Sequence, residues 1–391
     1  LYAILHILYA GTLFYIPQVE TPDGFFWVIF LAMCFYMPTI SLSNSISYST
    51  LKSGNLDVVK DFPPIRVWGT IGFIAAMWMT NLTGSKASAN QFYIAGVSAL
   101  GLGLYAFTLP RCLPSKLLEE KSTFIQRLGL DAFKLFADYK MALFFIFSMF
   151  LGGALQLTNA YGDVFLDEFK LFPIYAESFV IKYSTIIMSI SQVSETLFIL
   201  AIPFFLKRFG IKKVMVIAML AWVFRFGLFA YGDPAGNLWM IIFSCVVYGM
   251  AFDFFNISGS LFVETSTTPK TRSSAQGLFM MMTNGFGAVL GSIISGWMIQ
   301  KYFTKGYTSL QALADHVGVP TGDAHLLKFL GDKGITILAN GDLSSVLDVK
   351  DWRNIWLAFT LYALAVTVFF VIFFKHKHTK AEEKAIEAIS H

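Results

Sequence analysis

Ten stretches of about 20 mostly apolar residues constrain the fold of this chain more than any other feature. A helix needs about 20 such residues to cross the hydrocarbon core of a bilayer. Only 14% of the residues are charged and 56% are hydrophobic, so a water-soluble fold could not bury the apolar surface. The sequence therefore predicts an all-α membrane protein with ten spans, near 1–17, 25–48, 66–82, 91–109, 141–162, 178–206, 212–231, 237–262, 273–300 and 353–374.

Lysine and arginine residues alternate between the loops that join these spans. One set of loops is basic, while the short loops between them are acidic or carry at most one lysine, and the long loop 301–352 is mixed in charge. Cytoplasmic loops carry the excess of positive charge, so we expect the basic side, with both visible termini, to be cytoplasmic. The long loop 301–352 then falls on the outer side. The basic set comprises 49–65, 110–140, 207–213, 263–272 and the tail 375–391.

The long inner connection divides the predicted spans into two groups. Residues 1–109 form an N-terminal bundle of four helices, 110–140 a cytoplasmic linker, and 141–391 a C-terminal bundle of six. Within the linker, Ser122 to Tyr139 is amphipathic and is expected to lie along the membrane surface. Many transporters consist of two similar halves of six helices. We therefore expect ten of twelve helices here, with the first two absent.

Polar and aromatic side chains form narrow stripes on four of the predicted helices. Residues three or four apart on a helix share a face. Because intramembrane charges are costly, such residues are paired or functional. Together the stripes favour one cavity for a polar ligand with a flat ring, bound by amides, carboxylates and aromatic rings. The stripes are Arg66, Thr70 and Phe73; Gln156 and Asn159; Gln192 and Glu195; and Tyr248, Phe252, Asp253 and Asn256.

Structural readings of the same residues stay open at this point. Amide pairs also join helices to one another in membranes, and the carboxylates could form interhelical ion pairs. Arg66 lies near the cytoplasmic end of its span and could snorkel to the surface. Arg225 stands alone on its helix, which favours a structural or snorkelling role. Gly287 and Gly291 form a GxxxG pattern, which predicts close helix packing.

Enzymatic and nucleic-acid-binding classes find no support in the sequence. The six histidines lack metal-ligand spacing, and neither a phosphate-binding glycine loop nor a nucleophile elbow is present. The basic residues follow the membrane topology, so no nucleic-acid partner is expected. Three scattered cysteines exclude a disulfide framework.

Several longer strings resemble the nucleoside:proton symporter family of the major facilitator superfamily. These strings are Asp61-Phe-Pro-Pro-Ile-Arg-Val-Trp-Gly-Thr70, the segments 189–200, 251–259 and 274–277, and Thr283-Asn-Gly-Phe-Gly287. The resemblance runs from residue 1 to about 300 and again over 351–376. It implies two six-helix bundles around a central cavity in the bacterial inner membrane. It further implies uptake of purine and pyrimidine nucleosides, such as uridine and adenosine, with the proton as coupling ion and no other cofactor.

The resemblance also implies a set of substrate-contacting residues, all of which lie on the stripes. Asp253 is the expected proton carrier, with Glu195 second. One departure is Lys207, which stands where the superfamily's inner-loop motif usually has Asp. The alternatives are a proton-coupled sugar symporter or, from other classes, a membrane-embedded sensor or enzyme. The expected contact residues are Arg66, Thr70, Phe73, Gln156, Asn159, Gln192, Glu195, Tyr248, Phe252 and Asp253.

Overall fold

The computed structural model of the protein describes residues 1–56, 58–110, 130–176, 178–268 and 271–376. Contacts within the chain divide it into two compact units, Leu1–Glu120 and Lys121–His391. The predicted amphipathic stretch runs from Ser122 to Tyr139. Its first part, 122–129, lies outside the described residues, and most of the rest forms the 3-10 helix Leu130–Ala137.

The first unit contains four described α-helices: α1 (Tyr2–Tyr15), α2 (Pro22–Ser53), α3 (Val58–Leu82) and α4 (Asn90–Tyr105). Glycines bring α1 and α4 together. A β-carbon on Gly96 would lie 2.8 Å from the Phe14 ring, and one on Gly103 would lie 3.0 Å from the side chain of Ile7. Small residues let helix backbones approach closely in a bilayer, where no hydrophobic force drives helices together. Short 3-10 helices lie at Ile16–Gln18, Ser85–Ala87 and Ala106–Thr108.

The second unit begins its spans with α5 (Tyr139–Glu168), α6 (Ser184–Tyr231) and α7 (Leu238–Ser266). The side chain of Asp138 caps α5 by accepting a 2.8 Å hydrogen bond from the backbone N–H of Met141. A 3-10 helix at Phe169–Leu171 and one-turn helices at Pro173–Ala176 and Phe179–Lys182 connect α5 to α6.

The helix α6 combines two of the predicted spans. At 1.5 Å per residue, 48 helical residues would extend about 72 Å, more than twice the hydrocarbon thickness. Gly210 interrupts the helix with φ 74° and ψ 167°, a conformation that glycine adopts without steric penalty. The predicted spans 178–206 and 212–231 therefore meet at this kink.

The helix that follows, α8, consists of four consecutive segments. They are the α-helical Arg272–Met280, the π-helical Met281–Gly287, the α-helical Ala288–Met298 and the π-helical Ile299–Phe303. Such π-helical turns occur frequently at functional sites.

The expected outer loop folds into a small α+β subdomain, here called the insert (residues 304–350). It contains β1 (Thr304–Ser309), α9 (Leu310–Val317), α10 (Ala324–Asp332) and β2 (Asp342–Lys350). The strands pair antiparallel, with Thr304 opposite Lys350 and Tyr307 opposite Leu347. The insert has its own apolar core, formed by Tyr307, Leu310, Leu313, Ala314, Leu326, Leu330, Ile335 and Leu343 together with Leu171 from the α5–α6 connection.

The insert is attached to the end of α5. Glu168 accepts a 2.8 Å hydrogen bond from Nε1 of Trp352 and forms an ion pair with Lys350. His325 Nε2 lies 2.8 Å from the carbonyl oxygen of Lys170. The last described helix, α11 (Trp352–Phe373), follows directly after β2.

Aromatic side chains fill the core of the second unit. The Phe144 ring lies 4.9 Å from Phe262 and 5.2 Å from Phe279, which joins α5 to α7 and α8. Trp356 of α11 stacks on Phe226 of α6 at 5.8 Å. Aromatic pairs in these geometries stabilise contacts beyond their buried area.

The ten predicted spans coincide with helices of the structure. Within the described residues, seven helices are long and apolar enough to cross a membrane, and α6 accounts for two predicted spans. The spans near 1–17 and 66–82 correspond to α1 and to Val67–Leu82 of α3, which are shorter. The predicted helical membrane fold is therefore confirmed.

Candidate functional site

The helices α6 and α7 approach each other closely at Gly249. A β-carbon at this position would lie 2.5 Å from the carbonyl carbon of Ser194 and 2.6 Å from the backbone nitrogen of Glu195. The Ser194 hydroxyl also donates a hydrogen bond to the Val246 carbonyl. Only glycine fits between these backbones, and the contact places Glu195 beside Tyr248.

Tyr248 lies at the centre of an aromatic group. Its ring stacks on Phe252 with 6.2 Å between centroids and 8° between planes. Trp222 of α6 meets the Tyr248 ring edge-on at 5.9 Å. The Tyr248 hydroxyl faces the side chain of Gln192, and the carboxylates of Glu195 and Asp253 lie within electrostatic range of it. Five residues predicted from the sequence therefore come together at the α6–α7 contact.

Arg225 supports this group from within the protein. Its side chain is fully buried, and Nη1 donates a 2.7 Å hydrogen bond to the carbonyl oxygen of Ser244. Nε lies 3.3 Å from the hydroxyl of Thr158 on α5. The guanidinium carbon lies 4.6 Å from the centroid of the Tyr248 ring. Of the two roles expected for Arg225, the structure supports the structural one, since the side chain does not reach the surface.

The two amide side chains predicted on α5 are less enclosed than Tyr248 and Asp253. Gln156 is half-buried and Asn159 is exposed. Thr158, between them, provides the described link from this helix to Arg225 and thereby to Tyr248. The described contacts do not bring either amide onto the aromatic pair.

The three remaining predicted residues lie on α3 of the first unit, at positions i, i+4 and i+7. Thr70 is half-buried within its unit, and the Phe73 side chain is 54% exposed. For Arg66 the description covers the backbone alone. Their common face is confirmed by the helix, whereas their part in a shared cavity stays a prediction.

A cleft next to Phe252 adds residues that the predicted contact set lacks. It lies between α5, α6, α7 and α8. Two sequence signals pointed to its polar members, because Asn256 continues the α7 stripe and the family-like string 283–287 contains the other two. Aromatic rings and three polar side chains line it, namely Trp222, Phe252, Phe255, Phe279, Asn256, Thr283 and Asn284.

Glycines allow α5 and α8 to pack closely against each other beside this cleft. A β-carbon on Gly152 would lie 2.0 Å from the Thr283 carbonyl oxygen, and one on Gly287 would lie 2.3 Å from the Met149 carbonyl oxygen. A β-carbon on Gly291 would lie 2.8 Å from the Cα of Gly153. The close packing predicted from the GxxxG pattern is confirmed.

No metal-binding chemistry accompanies this arrangement in the described part of the chain. Across residues 1–56, 58–110, 130–176, 178–268 and 271–376, no group of three or more His, Cys, Asp or Glu side chains is placed to hold a metal ion. The arrangement offers stacking surfaces, amides and carboxylates.

Comparisons with known proteins identify relatives along the whole chain. Nucleoside permease NupG of Escherichia coli (strain K12) is 45% identical over 392 residues, covering 100% of this chain and 83% of the relative. Xanthosine permease of the same organism is also 45% identical, with the same coverage. A crystal structure of a mutant of nucleoside transporter NupG superimposes with a TM-score of 0.81 at 45% identity, covering 96% of this chain and 83% of that one.

These relatives are transporters and not enzymes, and the structural likeness confirms the predicted major-facilitator-type fold. The protein is thus a multi-pass membrane transporter. Residues 1–330 match the family described as nucleoside H+ symporter. With this match and 45% identity along its whole length, the chain belongs to the nucleoside H+ symporter family.

Proposed function

We propose that this protein imports purine and pyrimidine nucleosides together with protons across the bacterial inner membrane by alternating access. The observation that carries the proposal is the 45% identity, over the whole chain, to a nucleoside permease and a xanthosine permease. The basic loops assign both visible termini to the cytoplasm.

The α6–α7 group supports a nucleoside as the ligand. The stacked Tyr248 and Phe252 rings offer a surface on which a flat base can lie. On the adjacent helix α6, Gln192 and Glu195 provide hydrogen-bond partners for the ribose hydroxyls. In this proposal Gln156 and Asn159 share the task of binding ribose hydroxyls and base edges, and Phe73 of the first unit encloses the base.

Asp253 is the proposed proton carrier. It is 4% exposed in a chain that spans a membrane, and it lies next to the ligand-binding rings. A carboxylate that alternates between its charged and neutral forms can carry one proton in each transport cycle. Glu195 is the second proposed carrier. Arg66 of α3 is proposed to influence proton affinity, and Thr70 to contact the ligand.

Uptake of radiolabelled uridine by nucleoside-transport-deficient cells that express the protein tests the proposal. We expect uptake that a protonophore abolishes and that excess adenosine inhibits. Inhibition by pentoses or hexoses instead of adenosine would favour the sugar-symporter alternative. Chemical change of the recovered substrate, detected by chromatography, would favour an enzyme, and binding without uptake would favour a sensor.

A further inference from the structure

The cleft beside Phe252 is continuous with the aromatic group at Tyr248. Phe252 and Trp222 belong to both, because each contacts the Tyr248 ring and each lines the cleft. A flat ligand that stacks on Phe252 therefore has one edge directed either toward Gln192 and Glu195 or toward the cleft. Asn256, which also lines the cleft, lies one helical turn after Phe252 on α7.

Two of the three polar side chains in the cleft have hydrogen-bonding capacity to offer. Within the residues that the structure describes, the half-buried Asn256 amide makes no hydrogen bond. The Asn284 side chain is exposed, and its amide has only a weak described contact, at 4.0 Å, to the sulfur of Met280. Thr283 differs, since its hydroxyl donates to the Phe279 carbonyl of its own helix at 3.0 Å.

An amide at membrane depth is costly unless it hydrogen-bonds to protein, water or ligand. Each asparagine amide presents a donor and an acceptor side by side. The same paired pattern occurs on the edges of nucleobases, which asparagine side chains bind through two hydrogen bonds. Aromatic walls with an amide at the end therefore form a site suited to a stacked nucleobase.

We propose that Asn256 and Asn284 bind the edge of the nucleobase and so determine which bases are transported, an assignment that rests on the nucleoside import proposed above. The ribose then lies toward Gln192 and Glu195, and Phe252 separates the two parts of the ligand. This places specificity for the base on α7 and α8 and binding of the ribose on α6.

The substitutions Asn256→Leu and Asn284→Leu test the assignment, because leucine keeps the branched side-chain shape and the number of heavy atoms and removes both hydrogen-bonding groups. Uptake efficiency is measured for adenosine, inosine, uridine and cytidine, and for purine riboside, whose base carries no exocyclic group. The unmodified protein should favour adenosine and inosine over purine riboside. Each substitution should reduce that preference by about tenfold, because it removes the amide's hydrogen bonds to the base.

Gln276→Leu is the matched control. Gln276 is also an amide on α8, and its Nε2 donates a 2.7 Å hydrogen bond to the Ser260 carbonyl of α7 outside the cleft. Loss of this bond should lower uptake of all nucleosides by one common factor and leave the preference unchanged.

Two results would overturn the assignment. Either Asn256→Leu and Asn284→Leu lower uptake of every nucleoside equally, as Gln276→Leu does, or they leave the preference as it is in the unmodified protein. Both results presuppose nucleoside uptake by the unmodified protein and refute the base-edge assignment alone. An absence of uptake by the unmodified, correctly inserted protein would refute the proposed function, and the assignment with it.

Discussion

The guanidinium carbon of Arg225 lies 4.6 Å from the centroid of the Tyr248 ring, and the arginine is completely buried. Hydrogen bonds to Ser244 and Thr158 fix the guanidinium in place from two other directions. A cation held against an aromatic face in a dry environment is attracted to it more strongly than at a surface. Arg225 thus positions the ring that we assign to ligand binding, without lying among the proposed ligand contacts.

Arg225→Met should destabilise the protein by about 2–4 kcal/mol, because the Ser244 carbonyl and the Thr158 hydroxyl lose a buried partner. A Tm lower by about 5 °C or more in detergent, followed by tryptophan fluorescence, is the expected result. Arg353→Met is the control. Arg353 also lies over a tyrosine ring, 5.1 Å from Tyr231, but its side chain is exposed. Equal shifts in the two variants would contradict the role of Arg225.

Asp253→Asn should separate nucleoside exchange from accumulation. Asparagine keeps the size of the side chain and cannot carry a proton, so the variant should exchange labelled for unlabelled uridine but fail to concentrate it. Asp348→Asn, an exposed residue of the insert, should keep both activities. Full proton-driven accumulation by Asp253→Asn would exclude Asp253 as the essential carrier and direct attention to Glu195.

Gly249→Ala should disrupt the contact between α6 and α7. The new methyl group would lie 2.5 Å from the Ser194 carbonyl carbon, and backbone atoms cannot move aside as a flexible side chain can. Overpacking of this kind costs about 1–3 kcal/mol or more. We expect reduced monodisperse yield on size-exclusion chromatography and loss of uptake. Gly277→Ala is the matched control, because a β-carbon at Gly277 would meet nothing within 4 Å. This variant should behave like the unmodified protein.

Glu168→Ala should loosen the insert from the end of α5. The substitution removes the acceptor for Trp352 Nε1 and the ion-pair partner of Lys350. Faster backbone hydrogen exchange across 304–350 is expected, with little change in the membrane helices. Asp315→Ala removes an exposed carboxylate that accepts a hydrogen bond only from its neighbour Gln311 among the described contacts, and should leave exchange unchanged. Unchanged exchange in Glu168→Ala would show that the apolar contacts of the insert suffice.

The spans could be predicted because a bilayer imposes both length and apolarity on each helix. An interruption near Gly210 could be predicted for the same reason, because 178–206 and 212–231 are each long enough to cross the bilayer alone. The fold of the insert is harder to predict from the sequence. Its strands are six and nine residues long, and their pairing joins residues far apart in the chain, such as Thr304 and Lys350, which hydropathy does not encode.

The stripe on α7 could be predicted from helical spacing, and the structure places Tyr248 and Phe252 in a stack. The structural role of Arg225 is among those that the sequence favours, but its partners cannot be predicted, because they lie on two other helices and one of them is the backbone carbonyl of Ser244. The part of Asn284 in the cleft depends on how α5 and α8 meet at Gly152, a three-dimensional contact that no spacing within one helix reveals.

Proton-coupled import is measured most directly by following uridine and protons together in proteoliposomes that contain the purified protein and an internal pH-sensitive dye. With the outside more acidic than the inside, labelled uridine should accumulate above its external concentration, and adding uridine should accelerate acidification of the interior. Uridine that only equilibrates, at the same rate with and without the gradient and with no change in the dye signal, would contradict proton-coupled nucleoside import.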